Sequence, residues 1–107
     1  MSEVTVLALF KARPEKLDEL KSALVKMAEE THRNDAGCLL YALQQGIDDP
    51  CDLAWVEKWA SRQALDEHGK KPHIVDGAQT RRAMMAEPPR IVFLRNVGAG
   101  TPEQGVL

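Results

Sequence analysis

The sequence predicts an α+β domain of ferredoxin-like plan, β-α-β-β-α-β, with a four-stranded antiparallel sheet and its helices on one face. Three observations carry this. Four short runs are rich in β-branched and apolar residues; helical periodicity fills the stretches after the first and third runs; and Gly, Pro, Asp and Asn gather at the junctions.

Val4 to Arg13 (VTVLALFKAR) is the first strand, ended by Pro14. Val4, Val6, Ala8 and Phe10 point one way, and Thr5, Leu7, Leu9 and Lys11 the other. Pro14 suits the first turn of a helix, and Glu15, Asp18 and Glu19 place negative charge at its positive end. Leu17, Leu20, Leu24, Met27, Ala28 and Thr31 recur at helical spacing, so the spacing predicts a long amphipathic helix over residues 14–33, stopped by Asn34-Asp35-Ala36-Gly37. Cys38 to Gln45 and Leu53 to Ala60 are strand-like runs separated by loop chemistry, which makes a hairpin. Folding about residue 49 sets Leu39, Tyr41 and Leu43 opposite Trp59, Glu57 and Trp55 on one face, with Cys38, Leu40, Ala42, Ala54 and Val56 on the other. Ser61 N-caps a short helix ending near His68-Gly69. Pro72 restarts a helix through Ala86 with Ile74, Ala78 and Met85 inward, and Pro88-Pro89 ends it. Arg90 to Val97 is the last strand. The domain spans residues 1–97, and 98–107 form a tail without periodicity, frayed or lying on a partner subunit.

This plan leaves one sheet face without helices, yet Val6 to Phe10, the hairpin and Ile91 to Leu94 are apolar on both sides. A solvated face alternates with polar residues. A second copy of the same sheet is the simplest cover, which predicts a homodimer packed face to face.

Composition narrows the function. The chain has 107 residues, 28% of them charged, and a net charge of −2. That removes the usual electrostatic case for nucleic acid or anionic membrane as partner. No apolar run approaches the roughly 20 residues of a spanning helix. The first residues carry no positive region followed by an apolar stretch, so a cytoplasmic location is expected. Cys38 and Cys51 sit at opposite ends of the hairpin, too far apart for a disulfide, and are expected to be free thiols.

The hairpin and its sequel hold the chemistry. Gly37-Cys38 leads into a strand bearing Tyr41; Asp49-Pro50 closes the loop; Glu57-Lys58-Trp59 is followed by Ala64-Leu65 with His68, then by Pro72-His73. In this order the chain resembles the antibiotic biosynthesis monooxygenase family of dimeric ferredoxin-like α/β-barrel proteins, over about residues 4–97. The resemblance implies a dimeric α/β-barrel and a cofactor-independent oxygenase: a phenolic, hydroquinone or polyketide-like aromatic substrate, activated by proton removal, reacts with dioxygen without metal, flavin or haem.

His68 is the candidate proton acceptor, since an imidazole titrating near neutrality suits abstraction from a phenol or enol. Its place at a helix C-terminus also fits a plain capping role. Tyr41, Trp59, Glu57 and His73 are the candidate substrate-binding residues. The two aromatics offer stacking surfaces or, equally, core packing. Glu57 is costly to bury unpaired and calls for a hydrogen bond to Tyr41 or an ion pair. His73 lines the same pocket or lies on the surface; His32 reads as solvated. No metal site is expected, because the five-residue step from His68 to His73 is not a one-face helical pair and no carboxylate constellation accompanies it. Two other functions remain in view: an isomerase of a small ketone-containing metabolite, favoured for phosphorylated substrates by Lys70, Lys71 or Arg81, and a non-enzymatic ligand-binding or stress-associated dimer. Haem degradation is disfavoured, because that group resembles a pattern with Asn on the first strand, and Val4 to Arg13 has none.

Overall fold

Alternation of apolar residues builds four strands into one antiparallel sheet, and the computed structural model describes them within residues 2–107. The elements run β1 (Val4–Lys11), a 3-10 turn (Pro14–Lys16), α1 (Leu17–Asn34), β2 (Cys38–Gln45), β3 (Asp52–Trp59), α2 (Arg62–His68), α3 (Pro72–Val75), α4 (Ala78–Ala83), β4 (Arg90–Leu94) and α5 (Pro102–Gly105). The strand order β2-β3-β1-β4 is that of the ferredoxin-like plan.

The registers sort side chains into rows across the sheet. On the helix side, Leu43, Trp55, Ala8 and Ile91 form one row and Tyr41, Glu57, Val6 and Phe93 the next. Leu20 and Leu24 of α1 join Val6, Ala8, Phe10, Trp55 and Trp59 in the core. On the outer side, Ala42, Val56, Leu7 and Val92 make a row apolar across all four strands. No helix lies over it, and Leu9, Leu40 and Leu94 nearby are exposed.

Three expectations need correction, whereas that of free cysteines holds. Leu39 does not oppose Trp59. A bulge between Cys38 and Leu40 adds one residue to β2, so Cys38 pairs with Trp59 and packs on the core while Leu39 turns outward. The second helical region breaks into three pieces rather than two, because Gly77 takes a left-handed backbone (φ 78°) between α3 and α4. Ala78 is consequently exposed, whereas Met84 and Met85 are buried. The last strand stops at Leu94, and the tail carries one short helix, α5, with the Leu107 N–H donating to Asn96 Oδ1 at 2.9 Å. Both cysteines are free, and burial pushes the Cys38 thiol up to about 11, so it stays protonated.

Gly37 sets how closely α2 approaches the sheet. A Cβ at this position would lie 2.4 Å from the Cβ of Ala64, and the Gly37 carbonyl accepts from the Ala60 N–H at 2.9 Å. Gly37→Ala is therefore expected to lower stability by about 1–3 kcal/mol, the usual cost of overpacking. Adding Ala64→Gly should recover most of it in urea unfolding. Additive losses in the double variant would show that this contact does not set the spacing.

Candidate active site

The site begins where α1 stops. The Asp35 N–H donates to the Thr31 carbonyl at 3.0 Å, and the Cys38 N–H donates to the Asp35 carbonyl at 3.0 Å. This tight turn carries the Asp35 side chain inward, where it is almost wholly buried. Close packing at Gly37 and Ala64 then brings the end of α2 against it.

His68, the last residue of α2, meets Asp35 there. Its Nδ1 lies 2.6 Å from Asp35 Oδ2. A carboxylate only accepts, so Nδ1 carries the hydrogen and the lone pair is left on Nε2. His73 Nε2 reaches the same oxygen at 3.2 Å, and Lys71 Nζ lies 3.7 Å from Oδ1. The His68 ring packs 4.4 Å from Trp59 and 5.2 Å from Tyr41, centroid to centroid. Burial holds the imidazole below its ordinary pKa against the pull of Asp35, so His68 is neutral at pH 7 and able to accept a proton.

Glu57 approaches from the sheet. Its row partners are Tyr41 and Val6, and it is 6% exposed. The Trp59 indole N–H donates to Glu57 Oε1 at 2.8 Å. The expected bond to Tyr41 is replaced by this one, because residues two apart on a strand project to the same side. Burial pushes the Glu57 carboxyl up to about 7, only partly offset by the Trp59 hydrogen bond.

His68 and Glu57 share a cavity of about 630 Å³. Val6, Ala8, Ile91 and Phe93 form its apolar floor, with Leu65, Lys70 and Ile74 on the helical side. The cavity exists because no helix covers β4 on this face: Ile91 is 57% and Phe93 49% exposed. At the margin the Arg62 guanidinium stacks 4.5 Å above the Phe93 ring. A largely apolar slot with a few convergent polar groups, here Glu57, His68, Asp66 and Lys70, is the usual form of a small-molecule site.

The other expected residues fall behind or beside it. Trp59 is 0% exposed, so it supports His68 and Glu57 from behind and offers no stacking face. Tyr41 is buried, stacked on Trp55 at 4.0 Å, and burial raises its phenol well above the ordinary value. His73 does not line this cavity. It opens onto a second one of about 680 Å³ beside α1, with Lys26, Lys71 and Arg81. The His32 ring donates from Nε2 to the Tyr41 carbonyl at 2.9 Å and so ties α1 to β2.

Sequence reasoning passed over Asp35, which reads there as part of a helix stop; nothing local separates it from any other Asp in that role. Its position also corrects the premise that no carboxylate accompanies the histidines: donor atoms of Asp35, His68 and His73 lie within 4.8 Å of one another. Two ligands of a tetrahedral zinc ion sit about 3.3 Å apart. The 2.6 Å contact is shorter than that, and the other oxygen, Oδ1, accepts no hydrogen bond among the described residues and has the Lys71 cation 3.7 Å away. The 2.6 Å distance to His68 is that of a hydrogen bond to Oδ2.

Comparison with known proteins bears on the family and the fold. Residues 3–80 match the family model described as antibiotic biosynthesis monooxygenase. Rv0793 of Mycobacterium tuberculosis, a monooxygenase candidate by name, is 32% identical over 93 residues, 87% of this chain and 90% of that protein. Its solved structure superposes with a TM-score of 0.84 at 30% identity, covering 94% of this chain and 100% of that one. A Caulobacter crescentus structure, also an antibiotic biosynthesis monooxygenase candidate by name, gives a TM-score of 0.83 at 27% identity over 87% and 88% of the two chains.

Glu57 links the site to stability. A carboxyl with its pKa raised from 4.5 to about 7 in the fold favours the folded state fully below pH 4.5. That advantage is lost as pH rises to about 7 and is level beyond, for a total of about 3 kcal/mol. Glu57→Gln keeps an acceptor for Trp59 and carries no charge. It is expected to be near neutral at pH 4 and stabilising by about 3 kcal/mol at pH 8, read from urea midpoints. A difference independent of pH would show that Glu57 is not a buried, proton-holding carboxyl.

Proposed function

The chain belongs to the antibiotic biosynthesis monooxygenase family, and from that premise we propose that it oxidises a phenolic, hydroquinone or polyketide-like aromatic substrate with dioxygen, without metal, flavin or haem. The observation that carries this reading is a neutral His68, oriented by Asp35, opening onto a largely apolar cavity. A flat aromatic ring fits a floor of Val6, Ala8, Ile91 and Phe93, and His68 Nε2 removes a proton from its hydroxyl. Asp35 stabilises the imidazolium that results, as a buried carboxylate does in an acid–histidine pair. The electron-rich anion passes an electron to dioxygen, and recombination at a ring carbon forms the new C–O bond. The protein supplies binding, orientation and proton transfer, while the substrate supplies the electrons.

The isomerase reading draws less support. Arg81 is engaged with the carbonyls of Ile74 and Asp76, and Lys71 stands on Asp35, so Lys70 is the one cation lining the cavity among the described residues.

A homodimer belongs to the proposal. The outer row Ala42, Val56, Leu7 and Val92 is a continuous apolar band on a face that no helix covers. Sedimentation at micromolar concentration is expected to give twice the 11.9 kDa chain mass, with an interface above about 1,200 Å². A monomer would remove this part of the proposal. Leu7→Glu, which sets a charge in the middle of the band, should dissociate the pair.

Because His68 is buried on Asp35, His68→Ala confounds rate with stability by orphaning a carboxylate. His68→Gln retains a donor for Asp35. Turnover of hydroquinones by chelator-treated protein should fall about 10²–10⁴-fold in this variant at neutral pH, the usual worth of a positioned base. The deficit should shrink as pH approaches the substrate's own pKa, where solvent forms the anion unaided. Full activity in His68→Gln would remove the base assignment.

A further inference from the structure

His68 accounts for the first half of such a reaction and leaves a polar group in the same cavity unused. Glu57 stands in the row Tyr41–Glu57–Val6–Phe93, whose last two members form the cavity floor, and its own side chain lines the cavity with His68. One carboxyl oxygen, Oε1, is fixed by the Trp59 indole N–H at 2.8 Å. Among the described residues this is its one hydrogen bond, and no cation pairs with it. A carboxyl in an apolar wall, held at one oxygen by a neutral donor, is built to carry a proton at the other.

We propose that Glu57 is a catalytic acid, delivering from Oε2 the proton that turns the departing oxygen of a ring hydroperoxide into water. This rests on the oxygenase reading above and deepens it, since substrate binding alone requires no proton there. For a hydroquinone the steps balance as follows. His68 takes the hydroxyl proton; the anion and dioxygen combine at a ring carbon; and the peroxide anion recovers the proton from His68. The O–O bond then breaks, the ring C–H electron pair becomes the new C=O, and hydroxide leaves with the Glu57 proton as water. The ring proton restores Glu57. Hydroquinone and dioxygen thus become hydroxyquinone and water. Without the acid, the C–O bond breaks instead and the same reactants become quinone and hydrogen peroxide.

Burial, which pushes the Glu57 carboxyl up to about 7, supports the role, because an acid works best when its pKa lies near the working pH. The titratable groups around it are His68 and Asp66 of α2, Lys70 just beyond, and Tyr41 and Cys38 of β2; β1 and β4 present only apolar side chains to the cavity. The Cys38 thiol and Tyr41 phenol are both raised and stay neutral through this range, and His68 is neutral above its lowered pKa.

Glu57→Gln tests this, with oxygen uptake and peroxide release measured together on a panel of hydroquinones. The wild type should release little peroxide per dioxygen consumed. The variant should still take up oxygen, form hydroxyquinone about 10²-fold more slowly or worse, and release peroxide nearly in proportion to uptake. Glu57→Asp keeps an acid on a shorter arm and should restore part of the coupling; equal uncoupling in both variants would assign the effect to packing and overturn the proposal. Unchanged coupling in Glu57→Gln would also overturn it. If the wild type takes up no oxygen with any hydroquinone, the oxygenase reading fails, and binding of 2,4-dinitrophenol, ionised throughout pH 6–8, still judges Glu57. Wild-type affinity should fall about tenfold as pH rises through 7, where the carboxyl acquires a charge facing the phenolate. The variant should show no such fall. A flat profile in both proteins would show that Glu57 delivers no proton to a bound ring.

Discussion

A single buried carboxylate organises the working half of this molecule. Asp35 sits under the junction of α1, β2 and α2, shielded from water, and an ionised group there is tolerated only with partners. His68 and His73 meet one of its oxygens and Lys71 approaches the other. Three side chains from the break between α2 and α3 are thereby drawn back against the end of α1. The short helices have little to hold them otherwise: α2 is two turns and α3 one, far below the length at which a helix is stable alone. The same contact at Oδ2 therefore fixes both the break and the histidine tautomer.

Much of this architecture is legible in the sequence. Period-two runs place all four strands, and Pro14 with the Leu17–Leu20–Leu24 stripe places α1. The pairings Tyr41 with Glu57 and Leu43 with Trp55 follow from folding the hairpin about residue 49. What escapes has physical causes. A bulge exchanges the faces of Cys38 and Leu39, and Cys38-Leu39-Leu40 offers no Gly or Pro to announce it. Gly77 does announce a break, but a glycine inside a helical pattern is also tolerated there at modest cost. Of the candidate site, His68 and Glu57 reach the cavity, whereas Trp59 and Tyr41 lie behind it and His73 beside another. An aromatic on a strand looks the same in one dimension whether its ring faces a ligand or a leucine. Asp35 is least legible of all, since its importance comes from neighbours 33 and 38 residues away.

The two faces of the sheet are covered differently. Helices cover β2, β3 and β1 but leave β4 open on their own side, so an apolar strip of Ile91 and Phe93 stays exposed beside His68 and Glu57. On the opposite face one row, Ala42, Val56, Leu7 and Val92, is apolar across all four strands, between rows that hold Lys58 and Arg90. Cavity and band are separated by one sheet thickness, and residues adjacent on β1, such as Val6 and Leu7, belong to one each.

The strand order has a consequence for how the chain comes into being. Asp35, Glu57 and His68 are all synthesised within the first 68 residues, and β1, β2 and β3 can pair before the rest exists. The far wall of the cavity arrives with Ile91 and Phe93, which reach the sheet only by pairing back with β1. At about 5–20 residues per second, a nascent chain spends seconds with Glu57 and His68 assembled beside Val6 and Ala8 and the β4 half of the floor missing. The last strand to leave the ribosome is thus the one that completes the cavity floor, and a chain truncated before Arg90 would carry Glu57 and His68 beside a half-built cavity.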